Sequence, residues 1–240
     1  MKTGAIIQAR MGSTRLPGKL LANLAGEPVL TRVINRTGRA RSVDVVIVAT
    51  TTSSLDDPLV ELCANSGIAY FRGSESDVLD RYYQTARQFD LDTIVRITSD
   101  CPMIEPTIID LVVDRFLDCT GKFDYASNTI PRRTFPRGLD TEVMSFNTLE
   151  RVWTDDQDPL RREHVTPYIY QNQAIFNIGS IENCEDLSSH RWTLDTQEDL
   201  EFLQLVYTHF ARDDFSWTEV VALLDQHREW MDINRDVKQK

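Results

Sequence analysis

The chain has 240 residues, 41% hydrophobic and 26% charged, an ordinary globular composition that excludes a disordered or fibrous protein and suits one α/β domain. Its formal net charge of −11 and isoelectric point near 4.8 exclude wrapping of duplex nucleic acid, which needs a basic face. The same balance leaves room for one small anion in a locally basic pocket.

From the N-terminus, apolar runs at 5–7, 43–49, 68–71 and 93–97 predict strands buried on both faces. Amphipathic patterns at 29–39, 58–66 and 78–89 predict helices between them. Repeated crossovers of that length fold into a mostly parallel sheet with helices on both faces. Pro106–Leu117 predicts a further helix. From Gly121 to Thr141 periodicity fades and Pro131, Arg132, Arg133, Pro136, Arg137 and Gly138 gather, which predicts a hairpin or an arm off the sheet. Beyond it, a strand at 141–146, helices at 147–153 and 159–171, and strands at 174–181 and 191–194 are expected. Thr196 with Asp199, and Ser216 with Glu219, each place an acid three residues after a hydroxyl and predict capped helix starts. Trp192, Trp217 and Trp230 read as core or interface.

No run approaches the roughly 18 apolar residues of a membrane span, and Gln8 and Arg10 interrupt the first apolar run too early for a signal peptide. Cys63, Cys101, Cys119 and Cys184 form no Cys-x-x-Cys pair, so reduced thiols and a cytoplasmic location are expected.

The most informative segment directly follows the first strand: Gln8-Ala9-Arg10-Met11-Gly12-Ser13-Thr14-Arg15-Leu16-Pro17-Gly18-Lys19. Ligands of an open parallel sheet bind beyond the carboxyl ends of its strands, where this loop must lie. Glycines let backbone N–H groups approach phosphate oxygens, and three cations offset phosphate charge. It is not a Walker A loop, because five residues separate Gly12 from Gly18 and Leu20 follows Lys19. A solvated basic loop is the alternative, weakened by the gathering of three cations in an acidic protein.

This loop closely resembles the signature loop of cytidylyltransferases that activate acidic sugars, such as the 3-deoxy-manno-octulosonate and N-acetylneuraminate enzymes. Glu27-Pro28-Val29-Leu30, Ile94-Val95-Arg96-Ile97-Thr98-Ser99-Asp100-Cys101-Pro102-Met103-Ile104 and Leu194-Asp195-Thr196-Gln197-Glu198-Asp199-Leu200 match further family blocks in order. Phe135-Pro136-Arg137-Gly138-Leu139-Asp140-Thr141-Glu142-Val143 and Arg162-Glu163-His164-Val165-Thr166-Pro167-Tyr168 are similar to the spore-coat-polysaccharide branch. The resemblance implies a Rossmann-like nucleotide-diphospho-sugar transferase fold and transfer of CMP from CTP to an acidic sugar, with release of pyrophosphate. It further implies Mg²⁺ as cofactor and a homodimer built through an insertion around 121–175, which also serves the acceptor.

Residue by residue, the resemblance makes Arg10, Arg15 and Lys19 catalytic. It places Gln8, Ala9, Gly12, Ser13 and Asp100 beside them around the nucleotide, while Arg72, Gly73 and Thr98, at the ends of the third and fourth strands, are expected to meet its base or ribose. Asp100 and Asp195 match the family's magnesium ligands, although each could instead serve a turn or a helix start. Asp199 reads as the capping acid of its helix. Ser99 stands where glycine is usual and Gln197 where proline is common. His164 matches a histidine lining the sugar pocket, with a plain surface histidine as the alternative. Arg137, Asp140 and Glu142 either shape the acceptor site or belong to a solvated loop. A nucleotide-sugar glycosyltransferase of related architecture would carry an Asp-x-Asp motif, absent around Asp100. A non-catalytic nucleotide-binding relative would not need Arg10, Arg15, Lys19 and Asp100 together.

Overall fold

The structure is a computed structural model and describes residues 1–118 and 122–238, so Cys119 and Gly121 lie outside the described residues. The first half runs β1 (Thr3–Gln8), the short pair β2 (Asn23–Leu24) and β3 (Glu27–Pro28), α1 (Val29–Thr37), β4 (Val45–Thr51), α2 (Asp57–Asn65), β5 (Ala69–Gly73), α3 (Val78–Gln88), β6 (Thr93–Thr98) and α4 (Pro106–Leu117). The second half adds β7 (Tyr125–Ser127), β8 (Glu142–Ser145), α5 (Phe146–Asp155), α6 (Pro159–His164), α7 (Pro167–Gln171), β9 (Ile178–Ser180), α8 (Gln197–Phe210) and α9 (Trp217–Gln226).

Seven strands form one sheet in the order β5-β4-β1-β6-β8-β7-β9. Only β8 runs antiparallel to its neighbours. The strands are apolar on both sides because helices cover both faces. Ala5 and Ile7 of β1, Val48 of β4, and Val95 and Ile97 of β6 pack against α1, α2, α4, α8 and α9. Ile6, Ile47, Ala49 and Ile94 face α3, α5 and α7. This is the expected mixed, mostly parallel α/β sheet. β1 is the third of the seven, an interior strand between β4 and β6, so the Arg10–Lys19 loop leaves the sheet's carboxyl edge away from its ends.

Both capping boxes form, with Thr196 and Ser216 accepting from the backbone three residues on and Asp199 and Glu219 reaching back. Other expectations shift. The run at 159–171 is two helices, because Val165 adopts φ 70° and ψ −55° and Thr166 N donates to His164 O at 2.8 Å. That is the strained hand of the γ-turn, and Pro167 then starts a new helix where its missing N–H is harmless. Residues 174–176 belong to a turn ahead of β9, and the strand expected at 191–194 is reduced to one bridge between Arg137 and Arg191.

The irregular middle is a hairpin connection, not a protruding arm. It joins the neighbouring strands β7 and β8 and packs inward through Thr134, Phe135 and Leu139. Asn128 ties it together, donating from Nδ2 to Leu139 O at 2.7 Å and accepting from Thr141 N at 2.9 Å. These contacts offset the ordering cost of the segment within one chain. Gly138 is the tightest point: it sits at φ 107°, and a Cβ there would lie 2.8 Å from Trp192 O. Gly138→Ala is expected to lower stability by about 2 kcal/mol or more, read as a lower urea midpoint at unchanged slope.

Candidate active site

A cleft of about 320 Å³ opens at the carboxyl ends of β1 and β6, beside the start of α3. It is lined by the predicted Gln8, Ala9, Arg10, Gly12, Ser13, Arg15, Lys19, Thr98, Asp100, His164 and Asp195, and by residues not singled out from the sequence, among them Val78, Arg81 and Glu163. Parallel register explains the gathering, since Gln8 pairs with Thr98 and the two strands end side by side.

Asp56 anchors the loop. It is buried, accepts from Met11 N at 2.7 Å, and also takes the hydroxyls of Thr50 and Thr51. Burial alone would raise its pKa, yet these donors outweigh it and hold the carboxyl below its ordinary value. Further along, Gly18 adopts φ 71° and turns the chain into the 3-10 turn that presents Lys19. The backbone N–H groups of Gly12, Thr14 and Arg15 make no hydrogen bond among the described residues. Such a run of open donors is a cradle for an anion.

Lys19 Nζ lies between two carboxylates, 3.0 Å from Asp195 Oδ1 and 3.9 Å from Asp100 Oδ2, and donates to Leu194 O at 2.6 Å. Arg15 pairs with Asp195 Oδ2 at 2.9 Å and Arg191 with the same oxygen at 3.1 Å. Asp195 therefore faces three cations. Its burial would raise the carboxyl pKa, but Lys19, Arg15 and Arg191 outweigh that and hold it low. Both its oxygens are committed, which fits the expected role of metal ligand poorly. Asp100 fits that role better. Its side chain is 26% exposed, and its closest protein neighbours are Lys19 and the Cys101 thiol, 3.6 Å away. Burial, with Asp100 and Asp140 nearby, pushes that thiol pKa well up and keeps it protonated.

Other expected site residues lie elsewhere. Arg72 turns away from the cleft, donating to Thr51 O and Ser53 O at 2.8 Å and pairing with Asp57 at 2.8 Å. Gly73 lies behind the cleft wall, where a Cβ would meet Arg81 Cγ at 3.1 Å. Glu142 is buried, accepts from Tyr125 Oη at 2.7 Å and Thr166 Oγ1 at 2.9 Å, and pairs with Arg96. It braces the γ-turn that follows His164 and does not reach the cleft. Asp140 is held by Arg133. Arg137 is half-buried with no ion pair among the described residues. Burial, and then Arg133, push its pKa down. Arg10 reaches across the cleft mouth to Glu163 at 3.7 Å, with both side chains about half exposed. Arg81 carried one sequence signal, an arginine among the buried positions of α3.

Because the folded-state pKa of Asp195 lies below the ordinary 3.8, its contribution to stability is complete above that value and is lost as pH falls through the folded value. Asp195→Asn should cost about 2–4 kcal/mol at pH 7, the scale of breaking a largely buried pair. Urea unfolding at pH 7 and at successively lower pH should show the gap to the parent chain closing below pH 3.8.

The family model described as cytidylyltransferase matches residues 4–227. The chain is 38% identical to the uncharacterized protein MJ1063 of Methanocaldococcus jannaschii, over all of this chain and 97% of that one. It is 33% identical to the spore coat polysaccharide biosynthesis protein SpsF of Bacillus subtilis, over 92% of this chain and 93% of that one. Among solved structures, a cytidylyltransferase from Leptospira borgpetersenii superposes with a TM-score of 0.93 at 35% identity, covering 100% of this chain and 99% of the other. The fold is also that of CMP:2-keto-3-deoxy-manno-octonic acid synthetase complexed with CTP, with a TM-score of 0.67 at 20% identity over 87% of this chain and 99% of that one. With a cleft lined by open backbone donors at the carboxyl edge of its sheet and a family match along nearly its whole length, this chain belongs to the cytidylyltransferase family.

Proposed function

We propose that the protein transfers CMP from CTP to an acidic, sugar-like acceptor and releases pyrophosphate, for surface polysaccharide biosynthesis. The observation that carries this reading is the loop of open backbone donors flanked by Arg10, Arg15 and Lys19, opposite the accessible carboxylate of Asp100. An acceptor oxygen attacks the α-phosphorus in line as its hydroxyl loses its proton, and the bond to the β-phosphate oxygen breaks. Negative charge grows on the departing pyrophosphate, where Arg15 and Lys19 stabilise it. Asp195 holds these two cations in place before the nucleotide arrives, so little reorganisation accompanies the chemistry.

Mg²⁺ takes oxygen ligands and seldom more than one or two carboxylates from a nucleotide-binding protein. Asp100 suits it; no cluster of three or more metal-ligating side chains occurs among the described residues. The ion would neutralise phosphate charge when bound. On the acceptor side, His164 lines the cleft, and Arg137 is a cation left for an acidic substituent. The relative SpsF acts in spore coat polysaccharide biosynthesis, and 3-deoxy-manno-octulosonate cytidylyltransferases such as that of Geobacter metallireducens are 39% identical over 73% of this chain. Both support this class of acceptor. No helix among the described residues is long and apolar enough to cross a membrane.

Pyrophosphate release from CTP and Mg²⁺ with a panel of acidic sugars tests the reading, and absence of release with every acceptor would refute it. Lys19→Ala is expected to lower kcat about 10²-fold, the scale of one lost preorganised contact; a change confined to KM would assign the residue to binding alone. Asp100→Asn should fold normally, with an unchanged thermal midpoint, while Mg²⁺-dependent turnover collapses. Near-parental activity at low Mg²⁺ would remove Asp100 from the metal site.

A further inference from the structure

Asn234 lies beyond residue 227, where the family match ends, yet its side chain reaches the charges behind the cleft. The segment that carries it is tied down first. After α9, a 3-10 turn at Arg228–Asp232 stacks Trp230 on His227, and Trp230, Met231 and Ile233 pack against the core. Asn234 follows and is only 3% exposed. Its Nδ2 donates to Asp199 Oδ1 at 2.9 Å and to Arg191 O at 3.1 Å. It borders a cavity of about 390 Å³ with Trp192, Phe202 and Met231, so hydrogen bonds rather than close packing fix its amide.

What those two bonds hold extends into the cleft. Asp199 is fully buried and takes Arg191 in a fork, Nε to Oδ1 and Nη2 to Oδ2, each at 2.8 Å. A planar fork of this kind fixes a guanidinium in orientation as well as in place. From there Arg191 Nη2 reaches Asp195 Oδ2 at 3.1 Å, the oxygen that also takes Arg15 at 2.9 Å, while Oδ1 takes Lys19 at 3.0 Å. The same C-terminal segment touches one of these cations directly, as Arg15 Nη1 donates to Lys238 O at 3.2 Å. We propose that Asn234 is a positioning residue. By fixing Arg191 against Asp199 it sets the Asp195 carboxylate, and through it the places of Arg15 and Lys19, the cations that meet the departing pyrophosphate. Removing it leaves a buried carboxylate one donor short, which then draws partners from its neighbours. Displacement of a catalytic group by about 1 Å costs up to about 10²-fold in rate. The inference rests on the cytidylyl-transfer reading above and adds to it a stretch of chain outside the family match.

Turnover and ligand binding of the full chain, with Mg²⁺, test it. Asn234→Leu nearly keeps the side chain's size and loses both hydrogen bonds; Asn234→Ala loses the bonds and the packing together. Each should lower kcat about 10-fold and leave KM for the acceptor within about 2-fold, because Arg15 and Lys19 act on the leaving group. Calorimetric titration with inorganic pyrophosphate should show about 10-fold weaker binding to both variants, and titration with CMP a change of no more than about 2-fold. Val113→Ala is the control: Val113 is buried in α4 and lines no part of the cleft, so its loss should lower the thermal midpoint and leave kcat and pyrophosphate affinity as in the parent. A parental kcat in Asn234→Leu would assign the effect to packing and overturn the proposal. So would a Val113→Ala protein as impaired as Asn234→Leu. Unchanged pyrophosphate affinity in both Asn234 variants would overturn it with the cytidylyl-transfer reading intact. A parent chain that binds pyrophosphate but never forms it from CTP would overturn that reading, while the binding comparison still decides what Asn234 positions. A parent chain that does not bind pyrophosphate would overturn both. If Asn234→Leu does not fold, Asn234→Ala decides through pyrophosphate affinity.

Discussion

The Asp195 carboxylate holds the site together. It collects Lys19 and Arg15 from the loop after β1 and Arg191 from the segment before α8, so elements some 176 residues apart in sequence share one charge. Asp199, one turn further on, accepts from the N–H groups of Asp195 and Thr196 and pairs with Arg191. Asn234 closes the arrangement by donating to Asp199 Oδ1 and to Arg191 O. A capping box that would ordinarily only start a helix here also fixes the carboxylate to which Lys19 and Arg15 are tied. Leu194 N donates to Asp100 O at 2.8 Å, which sets the metal-binding candidate against the same hub.

What local chemistry dictates was legible in the sequence. Apolar runs marked β1, β4, β5 and β6, although β5 lies at the sheet edge and is not buried on both faces as its run suggested, and hydroxyl–acid spacing marked α8 and α9. The glycine- and cation-rich loop marked the carboxyl edge where the cleft opens. What depends on long-range pairing was not legible. Nothing local in the sequence shows the three cations that gather around Asp195. Arg72 stands at a strand end that should face the nucleotide, but Asp57 and two backbone carbonyls take its guanidinium. Arg81 resembles any arginine on an amphipathic helix, because nothing local says that its carboxylate partner is missing. Pro167 was a local signal, and it outranked the helical period that runs through 159–171.

The cleft wall around His164 depends on a different constraint. A β-branched residue at positive φ is strained by about 1–3 kcal/mol and persists only where its surroundings fix it. Val165 is 1% exposed, and the Thr166 hydroxyl is bound by Glu142, itself held by Arg96 and Tyr125. Arg162 adds a second tether, pairing with Asp77 at the start of α3. Between these fixed points, Glu163 and His164 are carried to the cleft on a helix of only six residues. Glu142 thus shapes the backbone that carries Glu163 and His164 to the cleft.

On the proposed function, a chain with a net charge of −11 must still receive a nucleoside triphosphate. At physiological ionic strength the Debye length is about 8 Å, so the acidic exterior is largely screened from a ligand inside the cleft. Within that distance the cleft presents Arg10, Arg15, Lys19 and Arg81, while its three carboxylates pair with three of them: Glu163 with Arg10, Asp195 with Arg15 and Lys19, and Asp100 with Lys19 at the longer distance of 3.9 Å. Every one of these cations is either lightly held or lacks a carboxylate, or shares one carboxylate with others. None is neutralised one to one by a dedicated buried partner. A cleft neutralised that way would be more stable and would bind phosphate poorly, because each contact to the ligand would first have to break an optimised pair. The shared, incomplete pairing keeps the cations positioned and leaves their charge available to the nucleotide.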